Sequence, residues 1–360
     1  MSNDERSTAT TSRNDHIARR TCLQRYLRAT GSRARVLTTS LATLLRVTSH
    51  TKRPFRFGVQ ASTAPSGKTW ADLARRTEDL GYAVLTMPDH FTDQLAPVPA
   101  MTVAATVTKN LRICALVFDN DYKHPVVLAK ELATMDVLSD GRVDIGLGAG
   151  WMRTDYDQAG MQYDSPGVRI DRFVEGLKVI RGCMADGKFS FKGTHYTITE
   201  YDGLPKPLQR PCPPVLIGAG GKRMLGIAAR EADIVGINPS LTPGFVGPEV
   251  IADMSSQAVA DKIAVVREKA GSRFNDIELN IRTFLVNVTD DGKAAREKLA
   301  KGMGVDAALI HDSPFALIGP PNELIETLIA RREQFGLSYV IVGGDDVESF
   351  APVVAALAGK

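Results

Sequence analysis

From Phe55 onward, short apolar runs rich in β-branched residues alternate with stretches of helical period, and this alternation restricts the fold more than any other feature. It signals βαβ units and a parallel sheet. Eight runs read as strands: 55–60, 83–87, 113–118, 143–147, 215–218, 233–237, 278–288 and 337–342. Between the first two, Trp70, Leu73, Ala74, Thr77 and Leu80 share one helical face, and Gly81 sits just past the helix end. Further helices are expected from Pro125 to near Asp140-Gly141, over 168–185, over 223–230, over 249–271 and after Asp345. The stretch 188–214, with Gly193, Gly203 and five prolines, reads as an insertion carrying a hairpin at 188–198. The stretch 301–320 reads as a lid-side insertion.

Eight strands, each followed by helical sequence, predict an α/β fold, a closed (β/α)8 TIM barrel with insertions over 54–360. An open sheet built on a dinucleotide-binding unit would need GxGxxG after its first strand. The sequence there is Ala-Ser-Thr-Ala-Pro-Ser-Gly-Lys.

Composition narrows the function classes. No stretch of 18 apolar residues occurs, so no membrane span is expected. The net charge of +3 is uneven: residues 1–53 hold eleven Lys/Arg against three Asp/Glu, while the remainder holds 33 basic and 38 acidic residues. The basicity therefore belongs to a leader and does not argue for nucleic-acid binding by the main body. With few large apolar residues, that leader reads as a disordered extension. Arg19-Arg20 offers a twin-arginine export signal as an alternative, but Arg33, Arg35 and Arg46 interrupt the apolar segment it requires. Cys22, Cys114, Cys183 and Cys212 form no CxxC pair, so neither a disulfide framework nor zinc is expected; reduced thiols fit a cytoplasmic protein.

In such a barrel the chemistry lies where strands end. The second run ends Met87-Pro88-Asp89-His90, and Pro88 stops the ladder, so Asp89 and His90 project beyond it. His90 reads either as an acid–base group tuned by a carboxylate or as a solvated loop histidine. Asp119-Asn120-Asp121, after the third run, suits a hydrogen-bonding ring edge, a metal or a turn. Gly146-Leu147-Gly148-Ala149-Gly150-Trp151 allows a flat ligand close to the backbone, with Trp151 as a wall, although a tight turn also needs glycine. Arg153, Asp155, Tyr156 and Asp157 read either as cover for a ligand or as a solvated helix start. Gly218-Ala219-Gly220-Gly221-Lys222 runs into a helix and offers backbone N–H groups to an anion.

Taken together, Leu80-Gly81-Tyr82, Pro88-Asp89-His90, Asp119-Asn120-Asp121 with His124-Pro125, Leu138-Ser139-Asp140-Gly141-Arg142, the glycines around 148 and those at 218–221 resemble one family. It is the luciferase-like monooxygenase superfamily, in its branch using coenzyme F-420, a deazaflavin; the resemblance covers about residues 55–240 well. It implies hydride transfer between F-420 and a small-molecule substrate. It also implies Asp89 and His90 at the ring as the catalytic pair, and a bulge with a non-prolyl cis peptide at Ala115-Leu116. Gly148, Ala149, Gly150 and Trp151 would line the ring, and Gly218, Ala219, Gly220 and Gly221 would hold the tail phosphate. No metal is implied. The alternative is an FMN-dependent monooxygenase on the same barrel. Phe91-Thr92-Asp93-Gln94 and Trp151 replace the Trp and Glu of the sugar-phosphate dehydrogenases, so glucose 6-phosphate does not carry over. A homodimer is compatible with the sequence, and the oligomeric state stays open.

Overall fold

A computed structural model describes residues 53–360. The leader expected over 1–53, up to its last residue, lies outside the described residues. Among them, no helix is long and apolar enough to cross a membrane.

The chain opens with β1 (Arg56–Gln60) and α1 (Gly67–Asp79). The Ser66 hydroxyl caps α1 by accepting the Thr69 N–H at 3.1 Å, and Gly81, at φ +85°, ends it. β2 (Val84–Met87) precedes α2 (Pro97–Thr106), a helix the sequence reading did not assign; its apolar Pro-Val-Pro-Ala-Met-Thr-Val-Ala-Ala-Thr has no polar face to set a period. Next come β3 (Arg112–Ala115), β4 (Phe118–Asp119), α3 (Pro125–Leu138) and β5 (Val143–Gly148). They are followed by α4 (Arg153–Ala159), α5 (Pro166–Met184) and the hairpin β6 (Phe189–Lys192) with β7 (Thr197–Tyr201). The second half contains β8 (Val215–Ala219), α6 (Lys222–Glu231), β9 (Ile234–Ile237), α7 (Pro248–Ala252), α8 (Ser256–Ala270) and β10 (Glu278–Arg282). It ends with β11 (Leu285–Val288), α9 (Gly292–Met303), α10 (Ala307–Asp312), β12 (Ala316–Gly319), α11 (Pro321–Phe335), β13 (Leu337–Gly343) and α12 (Ala351–Leu357).

The strand order β3-β2-β1-β13-β10-β9-β8-β5 is parallel throughout, and a β3–β5 pairing closes it, which makes the eight-stranded barrel expected from the sequence. Three expected elements are corrected. The run 113–118 is two strands: β3 stops at Ala115, a cis peptide joins Leu116 to Val117, and β4 resumes the ladder against Leu147 and Gly148. The irregular peptide therefore lies one residue after Ala115-Leu116. The run 278–288 also breaks, because β11 leaves the barrel to pair with β12. The stretch 301–320 is accordingly the second half of a β11–α9–α10–β12 excursion, which carries its own apolar cluster of Ala300, Ile310, Ala316 and Ile318. Finally, 249–271 is two helices, α7 and α8, with Ser255 capping the second.

Alternation along each strand sorts the interior from the helix-facing core. Phe57, Val59, Leu85, Val235 and Val340 face the helices, while Val84, Cys114, Leu216, Ile234, Tyr339 and Ile341 fill the barrel centre. Below this layer, at the strand starts, the barrel is plugged by charge. Asp144, 1% exposed, pairs with both Arg56 and Arg112, and Arg56 also reaches Glu278 at 3.0 Å. Above it, the inward positions of β5, β8 and β9 are Gly148, Gly218 and Gly236. With no side chains there, the upper end of the barrel stays open.

Candidate active site

The space left by those glycines is a cavity of about 570 Å³ at the C-terminal mouth of the barrel, within the usual range for a small-molecule or cofactor site. Asp89, His90, Leu116, Gly148, Ala149, Gly150, Trp151, Gly218, Ala219, Gly220 and Gly221, separated by up to 132 positions in the chain, all line it. Ala115 does not. It is buried beneath the mouth, with its carbonyl packed where a Cβ on Gly146 would sit. Val117, on the far side of the cis bond, takes part in the lining instead.

His90 is held rather than solvated. Its Nδ1 lies 2.7 Å from the Oδ2 of Asp155, which is 2% exposed, and its ring meets Trp151 edge-on at 5.7 Å. Asp155 also accepts the Tyr122 hydroxyl at 3.0 Å and the Phe91 N–H at 3.4 Å. A carboxylate with these partners fixes the Nδ1–H tautomer and leaves Nε2 as the nitrogen that can exchange a proton. Asp155 begins α4, so the segment read as ligand cover or a solvated helix start instead supplies a buried partner to the histidine.

The acidic side of the site is shaped by burial. Asp89 accepts the Asp119 N–H at 3.3 Å, and burial pushes its carboxyl up to about 6. Burial also pushes Asp119 up to about 7, outweighing hydrogen bonds from the Asp121 N–H and the Tyr156 hydroxyl, and the nearby Asp121 and Asp89 charges add to the rise. Asp121 itself is turned to Arg172 at 2.9 Å and Asn120 to Tyr196 at 3.3 Å, so of the Asp-Asn-Asp run only Asp119 borders the cavity. Gly150 serves packing: at φ +76°, a Cβ would fall 2.0 Å from the Tyr156 hydroxyl.

At the opposite wall, α6 starts from Gly221 without a side-chain cap, so the N–H groups of its first turn are unpaired within the helix. Arg169, 3% exposed, borders this end of the cavity, and its Nε has no hydrogen-bond partner among the described residues. Gly220 lies against the β9 loop, where a Cβ would come 2.3 Å from the Pro239 carbonyl oxygen. Arg169 Nη1 donates to the Asp164 carbonyl at 2.8 Å, so an uncapped helix start beside a buried guanidinium with an unpaired Nε fits an anionic group.

Among the polar residues of the lining that sequence reasoning missed, Gln60, Asn280 and Arg282 lie on barrel strands. The available signal was register, since each is a polar residue in or ending an otherwise apolar run, at a position that alternation turns inward.

Comparison with known proteins gives the same architecture. A family model described as luciferase-like monooxygenase matches residues 48–334. The FMNH(2)-dependent dimethylsulfone monooxygenase of Pseudomonas putida is 25% identical over 194 residues, which is 54% of this chain and 49% of that protein; the chain thus spans about half its length. The F-420-dependent glucose-6-phosphate dehydrogenase of Amycolatopsis mediterranei is 30% identical over 259 residues, covering 66% of this chain and 71% of that one. Among solved structures, the coenzyme F-420-dependent tetrahydromethanopterin reductase of Methanopyrus kandleri superposes with a TM-score of 0.67 at 18% identity, covering 84% of this chain and 98% of that one.

Proposed function

The chain belongs to the luciferase-like monooxygenase family, and from that membership we propose that it transfers hydride between coenzyme F-420 and a small organic substrate. The observation that carries the reading is His90, clamped by Asp155 at the edge of an open barrel mouth whose other wall holds an uncapped helix start suited to an anion. The uncapped start of α6, Gly220, Gly221 and Arg169 would hold the cofactor's phosphate; Leu116, Val117, Gly148 and Ala149 would lie against its ring. The bound deazaflavin would supply a carbon centre that accepts or donates hydride. The chain's own residues supply position and the proton. His90 Nε2 takes the proton released when hydride leaves the substrate and returns it in the reverse direction, while Trp151 screens the site from water.

The resemblance to an F-420-dependent dehydrogenase supports this cofactor. The resemblance to an FMNH(2)-dependent monooxygenase supports a second reading, in which FMN occupies the same groove. Titrating cofactor-free protein with F-420 and FMN, then assaying hydride exchange and oxygen uptake, separates them. Saturable F-420 binding with oxygen-independent turnover is expected. Binding of FMN alone, with product formed only in the presence of oxygen, overturns the first reading in favour of the second.

A further inference from the structure

Charge on the cavity wall is not confined to the uncapped start of α6 and Arg169. Arg282 closes β10, two stations around the barrel from β8, and borders the cavity together with Gln60 and Asn280. Its surroundings differ from those of the other arginines packed into the barrel. Arg56 and Arg112 share Asp144. Arg142 is spent on the carbonyls of Ser139, Leu111 and Ala105, and Arg331 on those of Ser313, Ala316 and Pro314. Among the described residues, Arg282 has no ion pair. Its Nε donates to Gln60 Oε1 at 2.7 Å and one Nη1 N–H donates to the Thr283 carbonyl. A guanidinium carries five N–H donors, so these two bonds leave three unused, including both on Nη2. Beside Nη2 lies Gly343, where a Cβ would stand 3.4 Å from Nη2 and 2.9 Å from Asp346 Oδ2. The nearest acid, Asp346, makes no ion pair with it. Burial makes this cation costly, drawing its affinity for the proton down to about 10.

The apolar neighbour of the guanidinium in the lining is Phe284, 47% exposed, with its ring centre 5.5 Å away. A half-desolvated guanidinium pre-oriented by an amide, with a free fork and an apolar approach, matches a planar monoanion on an apolar body. The geometry points to a substrate bearing a carboxylate, bound through Arg282 and seated against Phe284, on the wall opposite His90's side of the mouth. This rests on the reading that the cavity is the reaction site and deepens it by naming the substrate class. Arg282 is then a specificity residue, separate from the groups that would hold the cofactor's phosphate.

Calorimetric titration of the full chain with phenylacetate and octanoate, and with phenylacetamide and octanamide as neutral counterparts, tests it. The carboxylates should bind at least tenfold more tightly than the amides. Arg282→Gln should remove that preference while leaving amide binding and cofactor affinity within twofold. Asp346→Asn, which removes the nearest competing anion, should leave the preference intact or enlarge it. Equal binding of acids and amides, or an acid preference that survives in R282Q, overturns the inference. So does loss of cofactor binding in R282Q, which would assign the guanidinium to the cofactor. If R282Q does not fold, Arg282→Lys carries the test, because it keeps the charge but loses the fork; carboxylate affinity must then fall at least threefold with the amides unmoved. Should neither F-420 nor FMN bind the chain, the proposed function fails on its own, and titration of the cofactor-free protein still decides the carboxylate site.

Discussion

Replacing Asp155 with Asn removes a charge but almost no volume, which makes it the sharpest probe of how His90 works. Asp155 is 2% exposed and its Oδ2 sits 2.7 Å from His90 Nδ1, so the bond is charge-assisted and shielded from water. Hydrogen bonds of that kind are worth about 1.5–3 kcal/mol. If the bond strengthens as the imidazole takes up a proton during reaction, its loss should lower kcat by roughly 10- to 150-fold. Asp155 is not itself part of the cavity lining and reaches it through His90, away from the groups that would hold phosphate, so KM and cofactor affinity should stay within about threefold. A double-mutant cycle separates positioning from simple damage to the fold. His90→Ala alone should cost about 100-fold or more in turnover. D155N added to H90A should cost almost nothing further, because Asp155 acts through the ring that is already gone. The measurement is steady-state kinetics on the four proteins with thermal melts alongside. Unchanged kcat in D155N would refute the argument, as would fully additive losses in the double mutant.

Three further outcomes follow from the same physical picture. Asp144→Ala strips Arg56 and Arg112 of their shared buried carboxylate and should destabilise the barrel by about 3–5 kcal/mol, read as a Tm lowered by roughly 6–10 °C with cofactor affinity of the surviving folded protein unchanged. Gly150→Ala places a Cβ 2.0 Å from the Tyr156 hydroxyl at a φ of +76°, so a cost of about 2–4 kcal/mol is expected in denaturant melts; a cost below 0.5 kcal/mol would mean the loop repacks freely. Asp89 and Asp119 have folded-state values raised to about 6 and about 7, so their protonated forms favour the fold. That contribution is complete below about pH 4 and is lost as pH rises through the folded values, so stability should fall between about pH 4 and pH 7. Asp119→Asn should flatten the fall by on the order of 2–4 kcal/mol, measured as Tm against pH.

The barrel was legible in the chain because its signal is local. Each buried parallel strand must be a continuous apolar run, and each crossover needs a helix with an apolar face, so the repeat shows in the order of residues alone. Glycine endings such as Gly148 and Gly218 were equally plain, and they mark where the mouth stays open. The breaks in runs 113–118 and 278–288 were not legible, because no glycine or proline interrupts either run and only the geometry of closure dictates where pairing stops. The same holds for the site's partnerships. His90 and Asp155 lie 65 positions apart, and nothing between them in the chain says that they meet. Gln60, Asn280 and Arg282 come to one wall only because β1 and β10 both flank β13. The order of residues therefore determined the architecture and which strand ends are rich in chemistry. The closed tertiary structure decided which of those groups touch, which charges are buried without a partner, and so which of them can act.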